Sequence, residues 1–312
     1  MEFLRWLEGL RTPVGDFLFD KITLFGGEMV FMVLAITVFW CINKKWGYYV
    51  LTVGFFGTIL NQFLKLVYRV PRPWVLDPNF TIVESARADA GGYSFPSGHT
   101  QNSVGTFGGL AICTKKTWAR IVCIAMAILV PFSRMYVGVH TPLDVGVAFG
   151  CALVLLVLFY PFVLKSDEHP GRMYVLFALM LVSCGAYLYY VNLHLSPADF
   201  AGAEDLANYG EGVKNGWTLT GALLGLLVTY IYDSRVQHFD EKAPFLGQVC
   251  KLVLGLACVI AIRLGLSLLF GKLFPGQSFW SMPRYFLMVI MAGCIWPKTF
   301  PFWQKVGAKK AA

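Results

Sequence analysis

Apolar runs of about 20 residues recur nine times along this 312-residue chain and constrain its fold more than any other feature. A helix of about 20 apolar residues is long enough to cross the hydrocarbon core of a bilayer. Hydrophobic residues make up 57% of the chain and charged residues 14%, whereas about 25% of a soluble domain is charged. We therefore predict an all-α integral membrane protein, a polytopic helical bundle of about nine transmembrane helices. The predicted spans lie near residues 27–43, 47–68, 98–114, 118–136, 143–164, 173–192, 216–232, 248–270 and 279–296.

The basic residues of the connections predict the orientation. If nine spans are correct, the basic clusters all fall on one side, which should be the cytoplasmic side. The N-terminus is then outside and the C-terminus cytoplasmic. The basic residues behind the net charge of +8 lie in these short connections between spans. Nucleic acid is therefore not expected as a partner. The clusters comprise Lys44, Lys45, Lys115, Lys116, Arg120, Lys165, Arg172, Arg235, Lys242, Lys305, Lys309 and Lys310.

The chain divides into three stretches. Residues 1–26 mix charged and apolar residues, which is typical of an interfacial segment. Residues 27–172 contain three polar motifs and form the predicted functional core. Residues 173–312 supply additional C-terminal transmembrane helices without a motif. Two intramembrane cations in that stretch, Arg263 and Arg284, could help to bind an anion or could simply be paired and buried.

The first motif, K-x6-R-P, runs from Lys65 to Pro73 at the end of the second span. Lys65 lies one helical turn inside the membrane edge, and prolines on both sides of Arg72 hold that residue in extended chain. Snorkelling cations followed by helix-stopping prolines would explain the same residues without a ligand.

The second motif, P-S-G-H, runs from Pro96 to His99 and opens the third span. A helix N-terminus presents free backbone N–H groups, and Gly98 permits close approach, so this position suits a phosphate. A serine-capped helix with an interfacial histidine is the alternative interpretation.

The third motif, S-R-x5-H-x3-D, runs from Ser133 to Asp144 and joins the fourth and fifth spans. Thr141 and Pro142 are typical N-cap and N1 residues, which places Asp144 at N3, one turn from His140. Asp144 can serve as the capping-box acid of its own helix or accept the imidazole N–H of His140, and the two roles are compatible.

The three motifs together predict a phosphate site on the outer face. Their cations and the helix start suit an anion with several oxygens. His140, backed by Asp144, is the predicted nucleophile, and His99 is the acid that protonates the leaving oxygen, so a phosphohistidine intermediate is expected. No carboxylate cluster suited to Mg²⁺ accompanies them, and we predict neither metal nor cofactor. The predicted phosphate ligands are Lys65, Arg72, Ser97, Gly98 and Arg134.

These motifs, in this order, resemble those of the phosphatidic acid phosphatase type 2 superfamily, which includes bacterial acid phosphatases and vanadium haloperoxidases. The resemblance covers residues 27–165 and implies the same roles for His140, His99 and the phosphate ligands. The nine-span layout is similar to that of the glucose-6-phosphatase and sphingosine-1-phosphate phosphatase branches.

The sequence thus predicts a metal-independent membrane phosphatase acting on a phosphomonoester or diphosphate, with a lipid phosphate or polyprenyl diphosphate as the first choice of substrate. A glucose-6-phosphatase-like sugar-phosphate phosphatase, a phosphotransferase, or a transporter with a phosphatase-like core remain alternatives. Expected partners are the phosphate ester and membrane lipids, and the oligomeric state stays open. The expected location is a bacterial inner membrane with the site extracytoplasmic, or the endoplasmic reticulum membrane with a luminal site in a eukaryote.

Overall fold

The computed structural model describes residues 1–308, which form helices joined by turns and contain no β-strand. Lys309 and Lys310, used above to predict orientation, lie outside the described residues. Short 3₁₀ and π segments extend several of the helices. The α-helices are α1 (Glu2–Gly9), α2 (Pro13–Thr23), α3 (Glu28–Cys41), α4 (Lys44–Tyr68), α5 (Pro73–Leu76), α6 (Gly98–Ser103), α7 (Gly109–Cys113), α8 (Thr117–Tyr136), α9 (Pro142–Val163), α10 (Gly171–Tyr189), α11 (Gly202–Tyr232), α12 (Phe245–Leu273), α13 (Ser281–Ile290) and α14 (Phe300–Trp303).

Within residues 1–308, six helical segments are long and apolar enough to cross a membrane. A seventh candidate is the pair Pro13–Gly26 and Glu28–Cys41, which is bent by 53°. The prediction of an all-helical membrane protein is confirmed, whereas the number nine stays a prediction. The six segments are Lys44–Leu76, Thr117–Tyr136, Pro142–Val163, Gly171–His194, Phe245–Leu273 and Ser278–Trp303.

The remaining predicted spans are also helical, but each lacks length or apolar character. Helix α3 has only 14 residues. The run near 98–114 consists of α6, a π-helical segment at Val104–Gly108 and α7, and it ends at Cys113. Helix α11 is 31 residues long but is not among the helices that are apolar enough to cross a membrane.

One compact unit consists of residues 1–35, 48–172 and 200–209 and contains all three motifs. Part of its core joins α1 to the segment that follows the first motif, because Leu4 and Leu7 are buried together with Phe80 and Ile82. Arg5 of α1 also donates to Asp77 Oδ2 at 2.5 Å. The N-terminal segment is therefore packed onto residues 77–82, in addition to any contact with the membrane surface.

The second unit consists of residues 36–47, 173–199 and the chain from residue 210 onward. Its buried polar centre is Lys251, which donates to the carbonyl oxygens of Trp40 and Glu241 at 2.8 Å each. Arg284 donates to Ser267 Oγ at 3.3 Å and to Ser281 Oγ at 3.4 Å.

Candidate active site

A cavity of about 610 Å³ lies within the first unit, where the three motifs meet. Ser97 and Asp144 do not line it, but each is next to a residue that does: Ser97 precedes Gly98, and Asp144 Oδ2 lies 3.5 Å from His140 Nδ1. The other six predicted site residues line the cavity. These are Lys65, Arg72, Gly98, His99, Arg134 and His140.

Backbone hydrogen bonds tie the motifs to each other. The N–H of Ser94, just before the second motif, donates to the carbonyl of Val70 in the first motif at 2.8 Å. The N–H of Ser97 donates to the carbonyl of Asp144 in the third motif at 3.1 Å. The three segments are thus held as one structure although they are far apart in sequence.

Three backbone carbonyl groups accept hydrogen bonds from the side chain of Arg72. Its backbone is extended, with φ −69° and ψ 155°, as expected for a residue between two prolines. Nε donates to Gly92 O at 2.8 Å, Nη2 to Gly91 O at 2.7 Å, and Nη1 to Val139 O at 3.0 Å. Because the guanidinium is planar, these bonds fix both its position and its plane.

Arg72 also fixes the tautomer of His140. Its Nη1 lies 2.9 Å from His140 Nε2. A guanidinium only donates, so Nε2 accepts through its lone pair and the ring proton resides on Nδ1. Nδ1 lies 3.5 Å from Asp144 Oδ2 and 3.5 Å from Ser94 Oγ, both of which can accept that proton. The unprotonated nitrogen of this cavity-lining ring is therefore Nε2.

Asp144 caps its own helix, and its carboxylate also lies beside His140. Its Oδ2 accepts the backbone N–H of Thr141 at 2.7 Å, and Thr141 Oγ1 accepts the N–H of Asp144 at 3.3 Å, which completes a capping box. The same Oδ2 lies near His140 and accepts the Ser94 hydroxyl at 2.6 Å. The carboxylate is thus oriented from two sides.

Arg134, in the last turn of α8, is fully buried. Its Nη1 donates to Thr23 Oγ1 at 2.8 Å. Its Nε and Nη2 are buried without a hydrogen-bond partner among the described residues. Unpaired buried donors of a charged group are costly, and an anion in the cavity would lower that cost.

Lys65 and the start of α6 complete the lining. Lys65 Nζ donates to Tyr93 O at 2.5 Å, which uses one of the three N–H groups of the ammonium. Ser97 is the N-cap of α6, and its Oγ accepts from Thr100 N at 3.4 Å and from Thr100 Oγ1 at 3.0 Å. The hydroxyl hydrogen of Ser97 is not consumed by these bonds, because its oxygen is the acceptor in both.

The cavity environment keeps His140 neutral. Burial, followed by the positive charges of Arg72, Arg134 and Lys65, lowers the pKa of His140 well below its usual value of 6.5. The ring is therefore available as a base or nucleophile at neutral pH.

The rest of the lining is mixed in character. Apolar residues are confined to the segment around the start of α3, namely Leu24, Met29 and Val30. Glu28 and Asp89 add carboxylates to the lining. Among residues 1–308, no group of three or more His, Cys, Asp or Glu side chains could hold a metal ion.

Sequence reasoning missed the residues that orient the site. Ser94 holds Asp144, Thr23 holds Arg134, and the carbonyls of residues 91–93 hold Arg72 and Lys65. Ser94 could have been noticed because it lies three residues before Ser97 in the same loop. Sequence cannot indicate which backbone carbonyls, or which threonine of a distant helix, will orient a site residue.

Two family models match the chain and together span more than half of it. The PAP2 superfamily model matches residues 44–168, which include the three motifs. The model described as the transmembrane extension of PAP2 superfamily phosphatases matches residues 217–306. No solved structure matches the chain.

Curated relatives align with the motif-bearing part. Undecaprenyl-diphosphatase BcrC of Bacillus subtilis is 32% identical over 121 residues, 38% of this chain and 59% of the relative. An undecaprenyl-diphosphatase of Sulfolobus acidocaldarius is 32% identical over 139 residues, 41% of this chain and 65% of the relative. The chain therefore spans less than two thirds of the length of either. Lipid A 4'-phosphatase of Bacteroides thetaiotaomicron is 27% identical over 157 residues, 46% of this chain and 67% of the relative.

Proposed function

Because this chain belongs to the PAP2 superfamily, we propose that it is a membrane-integrated phosphatase that hydrolyses a phosphomonoester or diphosphate through a phosphohistidine at His140. One observation carries the proposal: three cations and two histidines line a single cavity, and a buried carboxylate lies next to one of those histidines. Charge, nucleophile and acid are thereby gathered around a volume large enough for a phosphoryl group.

The cations bind the phosphoryl oxygens. Arg134 supplies two buried donors that lack partners, and Lys65 retains donors beyond the one given to Tyr93. Ser97 and the backbone of Gly98 add a hydroxyl and an amide at the start of α6. Fixed positive charge in a cavity stabilises the charge that spreads over the equatorial oxygens during phosphoryl transfer.

In the first step His140 Nε2 attacks phosphorus. The N–P bond forms as the bond between phosphorus and the leaving oxygen breaks, and His99, protonated when the anionic substrate is bound, gives its proton to that oxygen. The proton on Nδ1 stays there, facing Asp144, whose carboxylate stabilises the positive charge that the ring gains. Arg72 Nη1, which donates to Nε2, turns its N–H to a phosphoryl oxygen once Nε2 is bonded to phosphorus.

In the second step water releases inorganic phosphate. His99, now neutral, takes a proton from the attacking water, the N–P bond breaks, and the electron pair returns to Nε2. No metal or cofactor enters either step. If an alcohol replaced water, the same residues would perform a phosphotransfer, so this alternative differs only in the acceptor.

The substrate is proposed to be a lipid phosphate or a polyprenyl diphosphate. In support, two aligned relatives are named undecaprenyl-diphosphatases and a third is named for a lipid A phosphate. The apolar residues at the cavity, Leu24, Met29 and Val30, suit a substrate with a hydrocarbon part. A water-soluble sugar phosphate is the competing substrate and would have no use for this apolar lining.

We place the active site on the extracytoplasmic face of a bacterial inner membrane, with nine spans, the N-terminus outside and the C-terminus cytoplasmic. The equivalent location in a eukaryote is the luminal face of the endoplasmic reticulum. Support comes from the basic connections, which all fall on the opposite side under this topology. The test is to label intact cells with a thiol reagent that cannot cross the membrane, using variants that carry a single cysteine at the exposed residue 79 or the exposed residue 240. Only the cysteine at residue 79 should react.

The function itself is tested by phosphate release from purified protein in detergent. The panel contains polyprenyl diphosphate, phosphatidic acid and glucose 6-phosphate, each with a chelator present. We expect turnover of the lipid substrates and its loss in His140→Ala. Strict dependence on added Mg²⁺, or undiminished turnover by His140→Ala, would refute the mechanism, and a preference for glucose 6-phosphate would refute the substrate class.

A further inference from the structure

The turn after α2 forms one wall of the candidate site. Leu24, Gly26 and Gly27 line the cavity, and Thr23 directly precedes them. Thr23 is 1% exposed, and its Oγ1 accepts the hydrogen bond from Arg134 Nη1. This wall comes from residues 23–27, which carry none of the three motifs.

The bond to Thr23 determines where the rest of Arg134 points. Nε and Nη2 have no partner among the described residues, so Nη1 is the atom that anchors the side chain. The guanidinium is planar and rigid, and fixing one terminal nitrogen therefore restricts the directions of the other two. Without this anchor the group would have to be positioned by the ligand itself.

Helix α2 is docked firmly enough to serve as that anchor. Arg11, before α2, donates through Nε to Tyr136 O at 3.0 Å, at the end of the helix that carries Arg134. The rings of Phe19 and Tyr136 lie 4.3 Å apart. Thr12 caps α2 by accepting Gly15 N at 3.1 Å. The relative positions of α2 and α8 are thus set by contacts other than the bond from Thr23 to Arg134.

We propose that Thr23 is a positioning residue whose hydroxyl holds Arg134 so that Nε and Nη2 are presented to the phosphoryl oxygens. This inference rests on the proposed function, because it assigns Arg134 to the phosphoryl group. Thr23 does not touch the substrate and acts through Arg134. The N-terminal segment is then part of the active site and not only an interfacial helix.

The test compares two substitutions at this position. Thr23→Val keeps the shape and removes the acceptor, and we expect kcat/KM to fall at least about tenfold, as loss of a hydrogen bond to a charged group does. The dissociation constant of vanadate, which mimics the pentacoordinate phosphoryl group, should rise by a similar factor. Thr23→Ser keeps the hydroxyl and should retain wild-type kinetics within about twofold.

Thr12→Ala is the matched control for stability. It removes the cap of the same helix, which lowers its stability, and leaves the hydroxyl at Thr23 in place. We expect it to lower the unfolding temperature without changing kcat/KM. If Thr12→Ala and Thr23→Val reduce kcat/KM and the unfolding temperature together, the role of Thr23 is structural and the proposal is wrong.

A double-mutant cycle with Arg134→Gln completes the test. Thr23→Val should add no further loss of vanadate affinity in the Arg134→Gln background, whereas an equal loss in both backgrounds would overturn the proposal.

Vanadate binding also distinguishes a failure of the Thr23 anchor from a failure of the proposed phosphatase function. Wild-type protein that binds vanadate in a Thr23-dependent way but releases no phosphate supports the anchor and contradicts the proposed function. Normal turnover by Thr23→Val overturns the anchor alone.

Discussion

Arg72 Nη1 lies 2.9 Å from His140 Nε2, so a cation donates to the nitrogen that is proposed to attack phosphorus. This contact keeps the proton on Nδ1 and the lone pair on Nε2. It also places the guanidinium beside the bond that forms. Arg72 would then stabilise both the resting nucleophile and the phosphoryl group that replaces the lone pair.

Arg72→Lys should reduce kcat/KM by about 10²-fold, because a single ammonium cannot reach His140 and three carbonyls at once. Phosphate release measured under subsaturating substrate gives the value. The control is Arg69→Lys in the same motif, since the guanidinium of Arg69 lies 4.0 Å from the ring centre of Phe200 and does not line the cavity. Equal losses in the two variants would contradict the role given to Arg72.

Asp144→Asn should lower kcat by about 10³-fold, since an amide cannot stabilise the cationic ring that forms in the first step. Thr141→Ala separates this effect from helix capping. That change removes the N-cap hydroxyl, leaves the carboxylate, and should cost about 1 kcal/mol of stability with kcat nearly unchanged. If Thr141→Ala were as inactive as Asp144→Asn, Asp144 would matter only as a cap.

Gly26→Ala should impair the acid step. A Cβ at Gly26 would lie 2.9 Å from His99 Cβ and 2.7 Å from Val130 Cγ1, so His99 must shift. The loss of kcat/KM, which reports the first step, should be large for alkyl phosphates and small for p-nitrophenyl phosphate, whose leaving group departs without a proton. Gly27→Ala is the control, because its nearest neighbour would be Leu24 O at 3.2 Å and not a side chain of the site. Equal losses on both substrates would show that His99 is not the affected group.

The sequence was sufficient to predict an all-helical membrane protein and to predict that charged motif residues share one cavity, for a physical reason. Placing cations and histidines inside apolar runs costs free energy unless they face a shared polar cavity. Their presence in the sequence therefore predicts such a cavity. The sequence could not predict what orients them. Thr23 and Arg134 are 111 residues apart, and a hydroxyl at a helix end has many possible partners. Residues 91–93 act through carbonyl oxygens that every sequence possesses.

The number of spans shows a different limit. The run near 98–114 is helical from Gly98 to Cys113, close to the predicted bounds, but it is not among the helices that are long and apolar enough to cross a membrane. Its first residues, Gly98 and His99, belong to the cavity lining. Apolar content alone therefore does not distinguish a full span from a shorter helix whose start serves the site.

The pH profile should reflect the low pKa of His140. Its nucleophilic form exists above its pKa and is lost only as the pH falls through that value, which burial and three cations place well below 6.5. The acid limb of kcat/KM should therefore have its midpoint well below pH 6.5. Profiles from about pH 5 to 8, recorded for two substrates with different phosphate pKa values, distinguish a midpoint set by an enzyme group from one set by the substrate. A shared midpoint at or above 6.5 would contradict a cation-rich, buried His140.

The covalent intermediate is the central claim, and His99→Ala provides the most direct measurement of it. With p-nitrophenyl phosphate the first step needs no acid, whereas the second lacks its base, so phosphoenzyme should accumulate. We predict a burst of nitrophenolate equal to the enzyme concentration, with phosphate found on His140 by mass spectrometry of an alkaline digest. The burst should vanish in the variant that also carries His140→Ala. A burst that persists in that double variant, or phosphate on a different residue, would contradict the account.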